Sequence, residues 1–317
     1  KEMLSRGIGR KPKYTNLSYQ KYLKYVDLQT LYDEGKVSEE ELNSFLLPSE
    51  HDDLKEATKA MWKMCKERNI ITFNELLQKT KKYYDEIGGK LEYVLVDEFQ
   101  DVGKLEAEFI YGLNADNLFL VGDDWQSIYG FKGGDVNIFK GLLDRKDFKV
   151  YYLENNYRNC KEIVNFASGI IKQVSSKIPK NVNIMATDSN GSVKINTKGK
   201  IRDYLNEVKK DGNYRDWFIL TRSNKEIFEL QELLDEFEIP YMSFKRAGMS
   251  FDTMNELMQE NTVKLLTVHV SKGLENKNVI LYGSFPVKQP SFFKNEDERK
   301  VMYVGETRAE ERLIVLN

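Results

Sequence analysis

Asp97 and Glu98 stand side by side at the end of an apolar run in the stretch LEYVLVDEFQD, residues 91–101. An Asp in that place can hold a hydrated magnesium ion, and an adjacent Glu can orient or deprotonate a water for attack on a phosphate. The same two residues can also be no more than a solvated acidic turn. Further polar clusters follow other apolar runs. The stretch GDDWQSIYGFKGG, residues 122–134, gathers acid, amide and hydroxyl groups beside the aromatic faces of Tyr129 and Phe131. ENNYRN at 154–159, RSN at 222–224 and HVSKGLE at 269–275 are placed in the same way.

Groups of this kind need a scaffold that delivers them to one edge. Residues 93–96 are continuously apolar, the pattern of a strand covered on both faces. Ligands of open α/β sheets bind at the carboxyl ends of such strands. Residues 118–121, 150–153, 193–195, 217–221, 263–267, 279–282 and 313–316 read as further strands. Helical spacing is seen over 53–68, in Leu105, Phe109, Ile110 and Leu113, in the apolar positions after Lys161, and in Ile227, Leu230, Leu233, Leu234 and Phe237. Residues 297–309 also have helical character, and Thr72 or Asn74 can cap a helix that opens near Ile71. Strands that alternate with helices predict parallel sheets with crossover helices, an α/β fold. A polar connector over 175–192 marks the expected domain boundary. The expected organisation is a helical, basic region over 1–70, a first lobe over 71–175 and a second over 176–317.

With 317 residues, the chain can bury a large core and form two domains. The formal net charge is −2, so no global field draws it to nucleic acid, and any such binding uses local patches. Residues 1–30 offer one candidate: seven Lys and Arg against Glu2 and Asp27, with Tyr14, Tyr19, Tyr22 and Tyr25 interleaved. That mixture could track a phosphate backbone and stack bases, or form a solvated helical face. Cys65 and Cys160 are isolated and give neither a disulfide framework nor a metal spacing, which suits a reducing cytoplasm. His51 and His269 are too few for a histidine-rich metal site. No run reaches the ~18 apolar residues of a membrane span.

Taken in order, these blocks resemble those of the UvrD/Rep/PcrA group of superfamily 1 DNA helicases. ITFNELL at 71–77 is similar to a small early block, DEFQD at 97–101 to the second motif and VGDDWQSIYGFKGG at 121–134 to the third. LENNYRN at 153–159, LTRSN at 220–224, LLTVHVSKGLE at 265–275 and YVGETRA at 303–309 resemble the blocks that follow. The resemblance implies two RecA-like parallel-sheet lobes of the P-loop NTPase type, the first truncated. It implies ATP and magnesium as cofactors, single-stranded DNA and duplex junctions as partners, no membrane, and 3′-to-5′ movement. Asp97 would hold magnesium, Glu98 would activate water, and Gln126 would sense the γ-phosphate. Arg158 and Arg308 would act as arginine fingers, Tyr157 would stack near the adenine, and Glu275, with Gly273 beside it, would meet the ribose. Tyr129 and Phe131 would stack unpaired bases, while Arg222, Thr267, His269 and Lys272 would line the strand path. Plain core packing for Tyr129 and Phe131, and a structural hydrogen bond for His269, remain open.

Three departures qualify the resemblance. No G-x-x-x-x-G-K-[ST] loop occurs in these residues. That loop supplies the backbone nest and the Lys for the phosphates. The family places it before Lys1, so the expectation is a fragment of a longer motor. The alternative is a non-hydrolysing DNA-binding or regulatory protein on the same scaffold; a motor within a nuclease complex ranks lower, because no carboxylate–lysine nuclease cluster is evident. Trp125 stands where the family usually has an acid. The segment between Arg222 and Thr267 is short where relatives insert a subdomain, so residues 246–261 are expected to form an exposed bridge.

Overall fold

The computed structural model describes residues 38–40, 58–59, 63, 65–86, 90–130, 133–185, 191–243, 251–283 and 296–317, with only the backbone for 251–253. Most of the region expected over 1–70 lies outside these residues, as do Phe131 and residues 246–250. The chain divides into two compact units, Lys1–Lys149 and Val150–Asn317.

In the first unit, helix α1, Phe73–Glu86, begins on a reciprocal cap. The Thr72 hydroxyl accepts the Glu75 amide at 3.2 Å, and the Glu75 carboxylate accepts the Thr72 amide at 3.1 Å. Strand β1, Tyr93–Val96, pairs in parallel with β2, Asn117–Leu120, and α2, Lys104–Tyr111, connects them. A short helix α3, Val136–Gly141, follows. The expectation that β1 is covered on both faces is not met. Tyr93, Leu95 and Phe119 are exposed, whereas Val94, Val96, Leu118 and Leu120 are half-buried. Alternate side chains of a strand point to opposite faces, so among the described residues only one face of this pair is covered.

The second unit is built on a six-stranded, all-parallel sheet in the order β5-β10-β9-β6-β8-β7. These strands are β5, Ser192–Asn196; β6, Trp217–Thr221; β7, Tyr241–Met242; β8, Val263–Thr267; β9, Asn276–Tyr282; and β10, Ala309–Leu316. A separate two-stranded ladder pairs β3, Asn155–Asn156, with β4, Asn183–Ile184. Every residue of β6 and β8 is buried, as parallel strands covered on both faces require. Helices α5, Ile201–Asp211, and α6, Asn224–Glu236, cover one face through Leu205, Val208, Leu230 and Leu234. Helix α4, Lys161–Ile171, packs on β5 and β10, and also on a helix that in turn packs on β9 and β10, Glu296–Glu306. The remaining helices are α7, Phe251–Gln259, and the single turn α8, Val268–Ser271, so Glu296–Glu306 is α9. The result is the mixed α/β, parallel-sheet architecture of a RecA-like lobe.

Two local expectations change. Residues 150–153 form no strand, and Tyr151, Tyr152 and Leu153 are exposed; the ladder begins only at Asn155. Residues 150–175 group with the second unit rather than the first, because α4 buries Ile163, Val164, Ala167 and Ile171 there. The described part of the bridge is one short helix, α7, in which Met254 is buried. Among the described residues no helix is long and apolar enough to cross a membrane.

Candidate active site

In the first unit, the carboxyl ends of β1 and β2 are held level by one side chain, that of Gln100. Gln100 is fully buried. Its Nε2 donates to Glu98 Oε2 at 2.5 Å, and its Oε1 accepts the Asp123 amide at 2.8 Å. Its main-chain carbonyl accepts the Ser127 hydroxyl at 3.2 Å. Gln100 thereby ties the acid after β1 to the loop after β2. Gly122 makes room for this contact, since a Cβ there would stand 2.7 Å from Gln100 Oε1. The Asp123 carboxylate accepts Gln126 Nε2 at 2.7 Å and the Trp125 amide at 3.1 Å, which fixes Gln126. Trp125 itself is buried.

Glu98 has φ 55°, in the left-handed region. A non-glycine residue there is strained by about 1–2 kcal/mol, and such strain gathers at functional sites. The turn exposes both Asp97 and Glu98 at the strand end. Asp97 Oδ1 accepts the Glu98 amide at 2.8 Å. Among the described residues no group of three His, Cys, Asp or Glu could cage a metal. A single exposed carboxylate nevertheless fits magnesium, which keeps several waters and takes one or two carboxylates plus substrate phosphates.

In the second unit, Arg158 forms an ion pair with Glu275, joining two residues for which the resemblance implies nucleotide contacts. Tyr157 is 71% exposed and accepts the Asn155 amide at 3.2 Å, so its ring is open to a flat ligand. Gly273 turns with φ 80°, open to glycine without strain. Arg308 is enclosed: it donates to the carbonyls of Val304 at 2.9 Å and Leu274 at 3.1 Å, and to the Thr307 hydroxyl at 3.2 Å.

Asn159 was not singled out in the sequence, yet it joins two of its blocks. Its buried Nδ2 donates to the carbonyls of Thr307 at 3.0 Å and Ala309 at 2.6 Å, and its Oδ1 accepts Asn156 Nδ2 at 3.0 Å. Asn159→Ala leaves these carbonyls unpaired and is expected to destabilise the second unit by about 1–3 kcal/mol. Urea denaturation checks this; an unchanged midpoint would mean that water replaces the amide.

The residues assigned to a strand path lie mostly at the carboxyl ends of β6 and β8. Thr221 and Thr267 are in register there. Thr267 caps α8, its hydroxyl accepting the Val270 amide at 3.4 Å. Arg222 Nε meets Glu298 Oε2 at 2.7 Å, and Nη2 meets the other carboxylate oxygen. That hydrogen bond raises the Arg222 pKa above its ordinary value. His269 is half-buried, and Lys272 is 4% exposed. Tyr129, in the first unit, is half-buried.

Comparison with known proteins covers nearly the whole chain. Residues 3–149 match the UvrD/REP helicase N-terminal domain. Residues 151–253 and 244–317 match the UvrD-like helicase C-terminal domain. A probable DNA helicase of Mycoplasma pneumoniae is 28% identical over 78% of this chain and 47% of its own length. The ATP-dependent DNA helicase PcrA of Staphylococcus aureus is 30% identical over 54% of this chain and 25% of its own length. The Staphylococcus epidermidis PcrA is 32% identical over 54% of this chain and 24% of its own length. The chain therefore spans half or less of these curated relatives.

Proposed function

This chain belongs to the UvrD-like helicase family, and from that premise we propose that it forms a large part of an ATP-driven motor that moves 3′-to-5′ on single-stranded DNA. The observation that carries the reading is the Gln100 bridge. It presents a strained, exposed acid and an oriented amide, Glu98 and Gln126, at the ends of two parallel strands. A solvated acidic turn has no need of a buried amide that spans 23 residues of sequence.

Each residue then has a task. Asp97 offers the carboxylate that would hold magnesium, which when bound supplies charge neutralisation on the phosphates. Glu98 accepts the proton of the attacking water. Gln126, aimed by Asp123, contacts the γ-phosphate and reports its presence. Arg158 exchanges Glu275 for phosphate oxygens, which free Glu275 for the ribose hydroxyls, and Tyr157 stacks on the base. Arg308, with its donors taken up by Val304, Leu274 and Thr307, positions the loop that carries Glu275 in the present conformation and reaches phosphate only if those bonds open.

The test is hydrolysis in a polypeptide that joins this chain to a G-x-x-x-x-G-K-[ST] loop. Single-stranded DNA is expected to stimulate ATP turnover, and streptavidin placed at the 5′ end of an oligonucleotide to be displaced faster than one at the 3′ end. DNA binding without any stimulated turnover would favour a non-hydrolysing DNA-binding or regulatory protein. Faster displacement from the 3′ end would reverse the polarity.

A further inference from the structure

The ladder of β3 and β4 has only two residues on each side and stands apart from the six-stranded sheet. So short a ladder adds little stability of its own. Its side chains show what it holds. Asn155 and Asn156 of β3 face Asn183 and Ile184 of β4, so three of the four residues are asparagine.

Asn156 serves the backbone that follows it. Its Oδ1 accepts the Arg158 amide at 3.0 Å and the Asn159 amide at 2.9 Å. Asn155 serves a side chain instead. Its Nδ2 donates to the Tyr157 hydroxyl at 3.2 Å, and its Oδ1 accepts Asn183 Nδ2 at 3.1 Å. Residues two apart on a strand share a face, and so do residues opposite each other in a ladder. Asn183, Asn155 and Tyr157 therefore form one line along one side of the ladder. Strand β4 is fixed in turn by its main chain: the Asn183 amide donates to the Glu154 carbonyl at 2.8 Å, and the Met185 amide to that of Asn156 at 2.8 Å. The polar connector, which the sequence presents only as a domain boundary, thus reaches back 28 residues to the amide that holds the ring.

That ring gains little orientation from packing, since Tyr157 is 71% exposed. A free ring must be ordered before a base can stack on it, and a ring already held lowers that cost. We propose that Asn155 and Asn183 are positioning residues for nucleotide binding, which fix the Tyr157 ring in the orientation on which the base stacks. The proposal rests on the nucleotide role given to Tyr157 above, and it adds the connector to that site.

The experiment uses the full chain with ring-labelled tyrosine, titrated with ATP and separately with inorganic triphosphate, and followed by NMR. Loss of a resonance in Tyr157→Phe identifies the ring. In the parent, ATP is expected to move this resonance and triphosphate to leave it in place. Asn155→Ala, Asn183→Ala and Asn183→Asp are each expected to shift the resonance of the unliganded ring and to weaken ATP binding about 2- to 5-fold. Asp keeps the shape of Asn183 but has no amide to donate. All three variants are expected to keep the parent's affinity for triphosphate and its melting temperature, because the backbone bonds of the ladder remain. Parental resonances and ATP affinities in all three overturn the positioning role and leave the stacking of Tyr157 standing. Equal losses for ATP and triphosphate overturn it too, because they report a change around Arg158 rather than at the ring. Parental behaviour of Asn183→Asp beside a weakened Asn183→Ala does the same, since shape and not donation would then matter. A parent whose Tyr157 resonance ATP does not move removes the stacking role, and the positioning role with it.

Discussion

Glu98→Gln is expected to lower ATP turnover by about 10²–10⁴-fold in a polypeptide that joins this chain to a phosphate-binding loop, and to leave nucleotide binding in place. Glu98 is the one acid at the end of β1 whose carboxylate is held by a buried donor, Gln100 Nε2 at 2.5 Å. A glutamine keeps the shape, and its carbonyl can still accept that donor. What it loses is the ability to accept a proton. A loss of binding parallel to the loss of turnover would mean that the strained turn at φ 55° had relaxed rather than that a base had been removed. Full turnover in the variant would place the base elsewhere. Single-turnover hydrolysis and equilibrium binding of a labelled nucleotide separate these outcomes.

The parts of this site that were legible in the sequence are those written in local pattern. The second unit's strands over 217–221 and 263–267 were readable because unbroken apolar runs of that length suit a parallel sheet buried on both faces. The same rule misled at 93–96 and 150–153, where apolar residues are exposed, because a run of Tyr, Val and Leu does not say whether anything covers it. The acids and arginines were visible by type and place, but their partners were not. Arg222 with Glu298, Arg158 with Glu275, and Asn159 with the carbonyls of Thr307 and Ala309 are contacts across 76, 117 and about 150 residues. Gln100 had a faint signal, an amide placed directly after the buried Phe99 and before a half-buried acid. Nothing local revealed that both ends of its side chain are used.

Glu306 gives the second large effect, in stability rather than turnover. It lies at the end of α9, four residues after the fully buried Met302 and so on the same side of the helix. Its side chain is fully buried, and neither carboxylate oxygen has a hydrogen-bond partner. The neighbouring groups are directed elsewhere: Thr307 donates to the carbonyls of Tyr303 and Val304, and Arg308 to those of Val304 and Leu274. Burial alone pushes the Glu306 carboxyl well above the ordinary carboxylate range. An acid whose pKa is raised on folding binds more protons in the folded state than in the unfolded one. Its contribution is fully present below the ordinary Glu pKa of about 4.3 and is lost as pH rises from there to the folded value, at no more than about 1.4 kcal/mol per pH unit. The second unit is therefore expected to lose stability through this group as pH rises above the ordinary Glu value. Glu306→Gln, which cannot titrate, is expected to flatten that slope. Glu306→Met fills a similar volume without an unpaired polar atom, and is expected to stabilise the unit at pH 7 by about 1–3 kcal/mol. Urea midpoints at pH 5, 6, 7 and 8 for the three proteins are the measurement. Parallel pH curves for the parent and Glu306→Gln, or a Glu306→Met protein less stable than its parent, would show that the carboxylate finds a partner and is retained for it.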